Sequence, residues 1–147
     1  MTDEEVFDAL VLMVDNDEKD AVAMRKMLEK APIRIKVDVC EDGRTGLDYL
    51  RRCAKSYGHM SPDMILFDIS GTKADDYGFL ETVSRDARLR SGMICALYDG
   101  EDPEAERRAI AAGASTVISP HNLRRAQQSI RDRLVDSWFQ RTQQFFV

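Results

Sequence analysis

The chain has 147 residues, 44% of them apolar, with 21 Lys+Arg against 26 Asp+Glu and a net charge of −5. That length suits one domain, large enough for a core that needs neither disulfides nor metal for stability. Three scattered cysteines, Cys40, Cys53 and Cys95, with no C-x-x-C pairing argue against a zinc ribbon or a disulfide scaffold and suit reduced thiols buried as small hydrophobes.

The start, Met1-Thr2-Asp3-Glu4-Glu5, is acidic where an export signal is basic, and no run approaches the ~18 apolar residues of a membrane span. A cytoplasmic protein with no membrane partner is expected. Ala9 to Val14 is an unbroken apolar run ending at Asp15, the pattern of a parallel strand covered on both faces. Residues 18 to 30 place Val22, Met24, Met27 and Leu28 at helical spacing among charges and stop before Pro32. Ile33, Ile35, Val37 and Val39 alternate with Arg34, Lys36 and Asp38, which predicts a half-covered strand at a sheet edge. Glu41-Asp42-Gly43 reads as a turn, and Leu47, Leu50, Ala54 and Tyr57 form the next helix stripe.

Pro62 precedes a third strand, Met64 to Asp68, and a polar loop over 70–76 leads to a helix with Tyr77, Leu80 and Val83 on one side. A fourth strand spans Met93 to Tyr98. Asp102-Pro103-Glu104 then supplies an N-cap, a first-turn proline and an acid to a helix that stops at a C′ glycine, Gly113. Ser115 to Ser119 is a short fifth strand, and Pro120 separates it from a last helix beginning near Asn122. The stripe Leu123, Ala126, Ile130, Leu134, Trp138 outruns the turns needed to cover such a sheet.

Five alternations of strand and helix predict an α/β fold, a doubly wound parallel sheet with helices on both faces. Ligands of such folds bind beyond the carboxyl ends of the strands. Those ends are acidic here, with Asp15-Asn16-Asp17 after strand one and Asp68 closing strand three. Carboxylates gathered there repel one another unless a cation joins them, and oxygen ligands suit Mg²⁺. Asp17, directly before Glu18, equally suits a helix cap. From His121 onward there are five Arg and two Asp, so the body is acidic and the tail basic. An acidic body argues against nucleic acid as a partner.

Val14-Asp15-Asn16-Asp17, Glu41-Asp42-Gly43, Pro62-Asp63-Met64-Ile65-Leu66-Phe67-Asp68 and Ala112-Gly113-Ala114, in that order and spacing, resemble the response-regulator receiver family, the CheY-like phosphoacceptor domains. The resemblance covers about residues 8 to 135. The span from Tyr49 to Asp63 and the aromatic tail around Trp138-Phe139 look like the single-domain regulators paired with bacterial phytochromes. The resemblance implies a five-stranded sheet of order 2-1-3-4-5, flavodoxin/CheY-like, with residues 1–135 as the receiver domain and 136–147 as an extension of the last helix. It implies a signalling protein rather than an enzyme. Asp68 would accept a phosphoryl group from a sensor histidine kinase or phosphotransfer protein. Asp15, Asn16, Asp17, Asp68 and the Ser70 carbonyl would surround Mg²⁺.

Three positions depart from the family pattern. Asn16 stands where a second acid is usual. Tyr98 takes the place of a Ser or Thr at the end of strand four, and Ser119 that of a Lys before Pro120, where the resemblance implies a cis peptide. These departures keep open a pseudo-receiver that binds partners without phosphorylation. The D-x-D spacing of Asp15-Asn16-Asp17 keeps open a haloacid-dehalogenase-like phosphatase. The long last stripe predicts a homodimer through Leu134, Trp138, Phe139, Phe145 and Phe146, because a soluble monomer rarely leaves so many large apolar groups in water.

Overall fold

Each apolar run forms a strand and each helical stripe packs back across the sheet, in the order β1 (Ala9–Val14), α1 (Glu18–Leu28), β2 (Ile35–Cys40), α2 (Gly43–Lys55), β3 (Met64–Asp68), α3 (Ala74–Arg85), β4 (Met93–Leu97), α4 (Pro103–Ala112), β5 (Thr116–Ile118) and α5 (Leu123–Gln143). The computed structural model describes residues 6–55, 61–69, 74–89, 92–98, 100–118 and 123–143, apart from the side chains of 74–76 and 123–127. The five strands form one parallel sheet of order β2-β1-β3-β4-β5. The predicted edge strand, β2, is at an edge.

Alternation along the central strands divides the core in two. Leu12, Val14, Ile65, Phe67, Ile94 and Ala96 face α2, α3 and α4, where Leu50, Leu80, Val83 and Ala109 close the layer. Val11, Met13, Met64, Leu66 and Cys95 face α1 and α5, meeting Ala21, Met24, Leu28, Ile130 and Leu134. Burial on both faces explains why β1 and β3 read as unbroken apolar runs.

On the first face Phe67 and Phe79 stack with ring centroids 4.8 Å apart. A Cβ on Gly46 would crowd both the Phe79 ring and Val14 at 3.1 Å, so the absence of one lets α2 approach this stack closely. Gly113 ends α4 as expected, at φ 123°, and its N–H bonds Ala109 O and Ile110 O.

Several expectations shift. Val22 points outward, 49% exposed, because the buried set of α1 is Ala21, Met24 and Leu28. Ala54 is exposed as well, while Tyr49 and Leu47 are the α2 residues packed beside Leu50. α2 begins at Gly43, inside the predicted turn, where the Asp42 carboxylate accepts the Thr45 N–H (2.9 Å). α3 begins at Ala74, inside the expected loop.

The largest correction concerns α5. Leu134, expected at a dimer interface, is a core residue of its own chain, 1% exposed beside Ile130. Trp138 packs half-buried against the same cluster. The described part of the stripe, Ile130, Leu134 and Trp138, therefore covers this chain's own sheet. Beyond it, Arg141 bonds the Asp63 carboxylate at 2.7 Å and the Asp8 carbonyl at 3.3 Å. Helix α5 runs without interruption through residue 136. Phe139 remains 53% exposed. Phe145, Phe146 and the Ser119–Pro120 bond lie outside the described residues. No described helix is long and apolar enough to cross a membrane.

Candidate functional site

Strand order places β1 beside β3, and their register pairs Val14 with Phe67. The next residue on each strand is Asp15 and Asp68, so parallel pairing alone brings together two carboxylates 53 positions apart in sequence. The Asp15 N–H continues the ladder onto Cys40 O (3.0 Å), which fixes the backbone where the chain leaves the sheet.

Asp15 is buried, 5% exposed, at the carboxyl end of the sheet. Its Oδ1 accepts the Asp17 N–H at 2.8 Å, while its Oδ2 is buried without a hydrogen-bond partner. A buried carboxylate oxygen left unsatisfied is costly. Burial pushes the Asp15 carboxyl up to about 7 from the ordinary 3.8; the Asp17 N–H opposes this, and a side-chain hydrogen bond with Asp20, open to the protonated carboxyl, and the charges of Asp68 and Asp20 add to it.

The structure sorts the acids of the first loop. Asp17 is the N-cap of α1, and its Oδ1 accepts the Lys19 N–H at 2.9 Å. Asn16 is exposed. Asp20, which no sequence motif singles out, joins the site: one carboxylate oxygen from each of Asp15, Asp20 and Asp68 lies within 4.8 Å of the others. Three carboxylates that close, one of them buried with an unpartnered oxygen, fit a hard divalent cation. Ser70 lies outside the described residues, as do Ser119 and Pro120.

Tyr98 directly follows β4, one residue past the Leu97 that pairs with Asp68. Its N–H donates to Ile118 O (3.0 Å), and its hydroxyl accepts the Asp102 N–H at 3.1 Å. The phenol thus reaches the start of α4, where Asp102 caps the helix by accepting the Glu104 N–H at 3.0 Å. A Cβ on Gly100 would lie 2.2 Å from the Tyr98 hydroxyl, so the chain passes closely over the phenol.

No family model matches the sequence. The probable methanogenesis regulatory protein FilR2 of Methanothrix harundinacea (strain 6Ac) is 25% identical over 127 residues, covering 84% of this chain and 81% of that one. Among solved structures, the phosphorylated cyanobacterial phytochrome response regulator RcpA matches with a TM-score of 0.71 at 20% identity, over 89% of this chain and 94% of RcpA. The Mn²⁺-bound form of the response regulator Rcp1 matches with a TM-score of 0.68 at 15% identity, over 84% of this chain and 90% of Rcp1. The fold is that of response-regulator receiver domains, CheY-like, with the sheet order that the sequence resemblance implied.

Proposed function

We propose that this chain is a receiver of two-component signalling, in which Asp68 takes a phosphoryl group from a histidine kinase or phosphotransfer protein and the chain passes the signal on through protein contacts. One observation carries the reading: β1–β3 register sets Asp68 beside a buried Asp15 whose Oδ2 has no partner. In the transfer, an Asp68 carboxylate oxygen attacks phosphorus. The new O–P bond forms as the N–P bond to the donor histidine breaks, and the imidazole nitrogen keeps the electron pair. Asp68 and the phosphoryl group are both anionic, and a divalent cation, Mg²⁺ by its hardness, supplies the neutralising charge when bound. Asp15 and Asp68 would hold it, with the Ser70 carbonyl a further ligand by resemblance. The solution of Rcp1 with Mn²⁺ and of RcpA in phosphorylated form supports the same chemistry here. A cytoplasmic location follows from that role. Homodimer formation would rest on Phe139 among the described tail residues, since Leu134 and Trp138 are engaged within the chain.

The test is intact-mass spectrometry after incubation with Mg²⁺ and acetyl phosphate. Wild type should gain one phosphoryl group, about 80 Da, and Asp68→Asn should not. The bond from the Asp102 N–H to the Tyr98 hydroxyl favours a second reading, a pseudo-receiver whose β4–α4 connection is already held in place. Wild type that never gains mass under conditions that modify an ordinary receiver would establish that second reading.

A further inference from the structure

Asp20 occupies the third position of α1, counted from the N-cap Asp17. An acid there ordinarily reaches back to accept the N-cap N–H, completing a reciprocal cap. In this chain the Asp17 N–H is already taken by Asp15 Oδ1 at 2.8 Å. The Asp20 carboxylate is therefore released from that task, and it stands within 4.8 Å of oxygens of Asp15 and Asp68. Side chains on a helix lean toward its N-terminus, which is why a residue one turn into α1 reaches the strand ends. The independent sign of a ligand is Asp15, 5% exposed, whose Oδ2 is buried with no hydrogen-bond partner. Asn16, next to Asp15, offers no charge and lies exposed.

We propose that Asp20 is a ligand, direct or through water, of the divalent cation held by Asp15 and Asp68, and that it supplies from the first turn of α1 the negative charge that Asn16 does not. This inference rests on the receiver reading for the presence of the cation, and it adds a residue the reading does not require. Asp20 then has two effects of opposite sign. Without cation its charge crowds Asp15 and Asp68; with cation it adds to the attraction.

The experiment is Mn²⁺ titration of the full chain followed by the electron paramagnetic resonance of free Mn²⁺, with no phosphoryl donor present. Asp20→Asn should weaken Mn²⁺ binding by about tenfold or more and raise the melting temperature of the cation-free protein. Glu18→Gln, which removes the same charge from the same exposed turn, should change affinity by less than about threefold. Equal binding by wild type and Asp20→Asn overturns the role of Asp20 and leaves the receiver reading standing. Equal losses from Asp20→Asn and Glu18→Gln also overturn it, because general charge would then be responsible. Wild type that binds no Mn²⁺ overturns this proposal and the cation in the functional reading together, whereas phosphorylation of Asp68 is decided separately by mass.

Discussion

The guanidinium of Arg141 lies 2.7 Å from the carboxylate of Asp63, joining the last turn of α5 to the residue just before β3. The two partners are unequal. Asp63 is nearly buried, 10% exposed at its side chain, and its Oδ2 also accepts the Leu10 N–H at 2.8 Å, while its own N–H donates to Leu10 O. Arg141 is 44% exposed at its side chain. Asp63→Ala should therefore cost about 1 to 3 kcal/mol, because it strands a ladder amide. Arg141→Ala should cost about 1 kcal/mol or less. Urea unfolding of both variants checks the ranking, and equal losses would show that the ion pair, not the amide bond, dominates.

Asp17 and Asp20 sit three residues apart and should fail differently. Asp17→Ala removes the cap from α1 and should destabilise by about 1 kcal/mol. Asp17→Asn keeps an acceptor for the Lys19 N–H and should stay close to wild type. Thermal melts followed by circular dichroism separate the two. A large loss from Asp17→Asn would place its charge, rather than its hydrogen bond, at the centre of its role.

Stability without divalent cations should fall as pH rises. The Asp15 carboxyl is raised in the folded protein to about 7 from 3.8, so between those values the native state binds a proton that the unfolded chain has released. The slope of stability against pH is then negative across that window and levels off above it. A tenfold change in proton affinity corresponds to ~1.4 kcal/mol, so the total loss is on the order of a few kcal/mol. Mg²⁺ should restore more stability at pH 8 than at pH 5, since a ligand carboxylate must be deprotonated. Urea midpoints of wild type and Asp15→Asn measured in EDTA across that range isolate its contribution, and equal pH slopes in the two would contradict a raised Asp15 carboxyl.

Two glycines should respond to alanine with opposite signs. Gly113 has φ 123°, and a Cβ there would come within 2.4 Å of the Ser84 Cβ. Gly113→Ala should lower stability by more than about 1 kcal/mol. Gly78 lies on the exposed side of α3 with nothing within 4 Å of a built Cβ. Gly78→Ala should raise stability by about 0.5 to 1 kcal/mol, the usual gain in a helix interior. Differential scanning calorimetry resolves both shifts.

Cys95 is fully buried between β3 and β5, and burial pushes its thiol up to about 11. It should react with an aromatic disulfide at pH 8 only as fast as the protein unfolds. Cys40 and Cys53 are half-buried and should react first. Three equally fast thiols in native protein would show that β4 opens locally.

The strand sequence was legible because apolar runs and single-sided alternation report burial on two faces or one. Asp15 and Asp68 were legible as strand-end acids for the same reason. Asp20 was not, since an acid in the first turn of a helix ordinarily complements the helix dipole. Only the pairing of β1 with β3, together with the diversion of the Asp17 N–H to Asp15, turns it toward the site. The length of the α5 stripe was visible, but its target was not: a periodic pattern records which residues are covered and carries no information about whether a sister chain or the same chain covers them. Tyr98 directly follows β4, which stops one residue short of the strand end expected from the sequence. Its tie to Asp102, four residues on, depends on how closely the backbone passes at Gly100.

Asp63 immediately precedes the five-residue strand β3 and Asp68 ends it, the first tied to α5 and the second beside Asp15. Successive residues of a strand face opposite ways, so one residue gained or lost between them would reverse one end relative to the other. Either the α5 tie or the carboxylate site would survive such a change, but not both. Descendants of this chain can thus exchange one apolar residue for another within 64–67, where every side chain is buried, while the spacing of the two aspartates stays fixed, and changes of length must accumulate outside that interval.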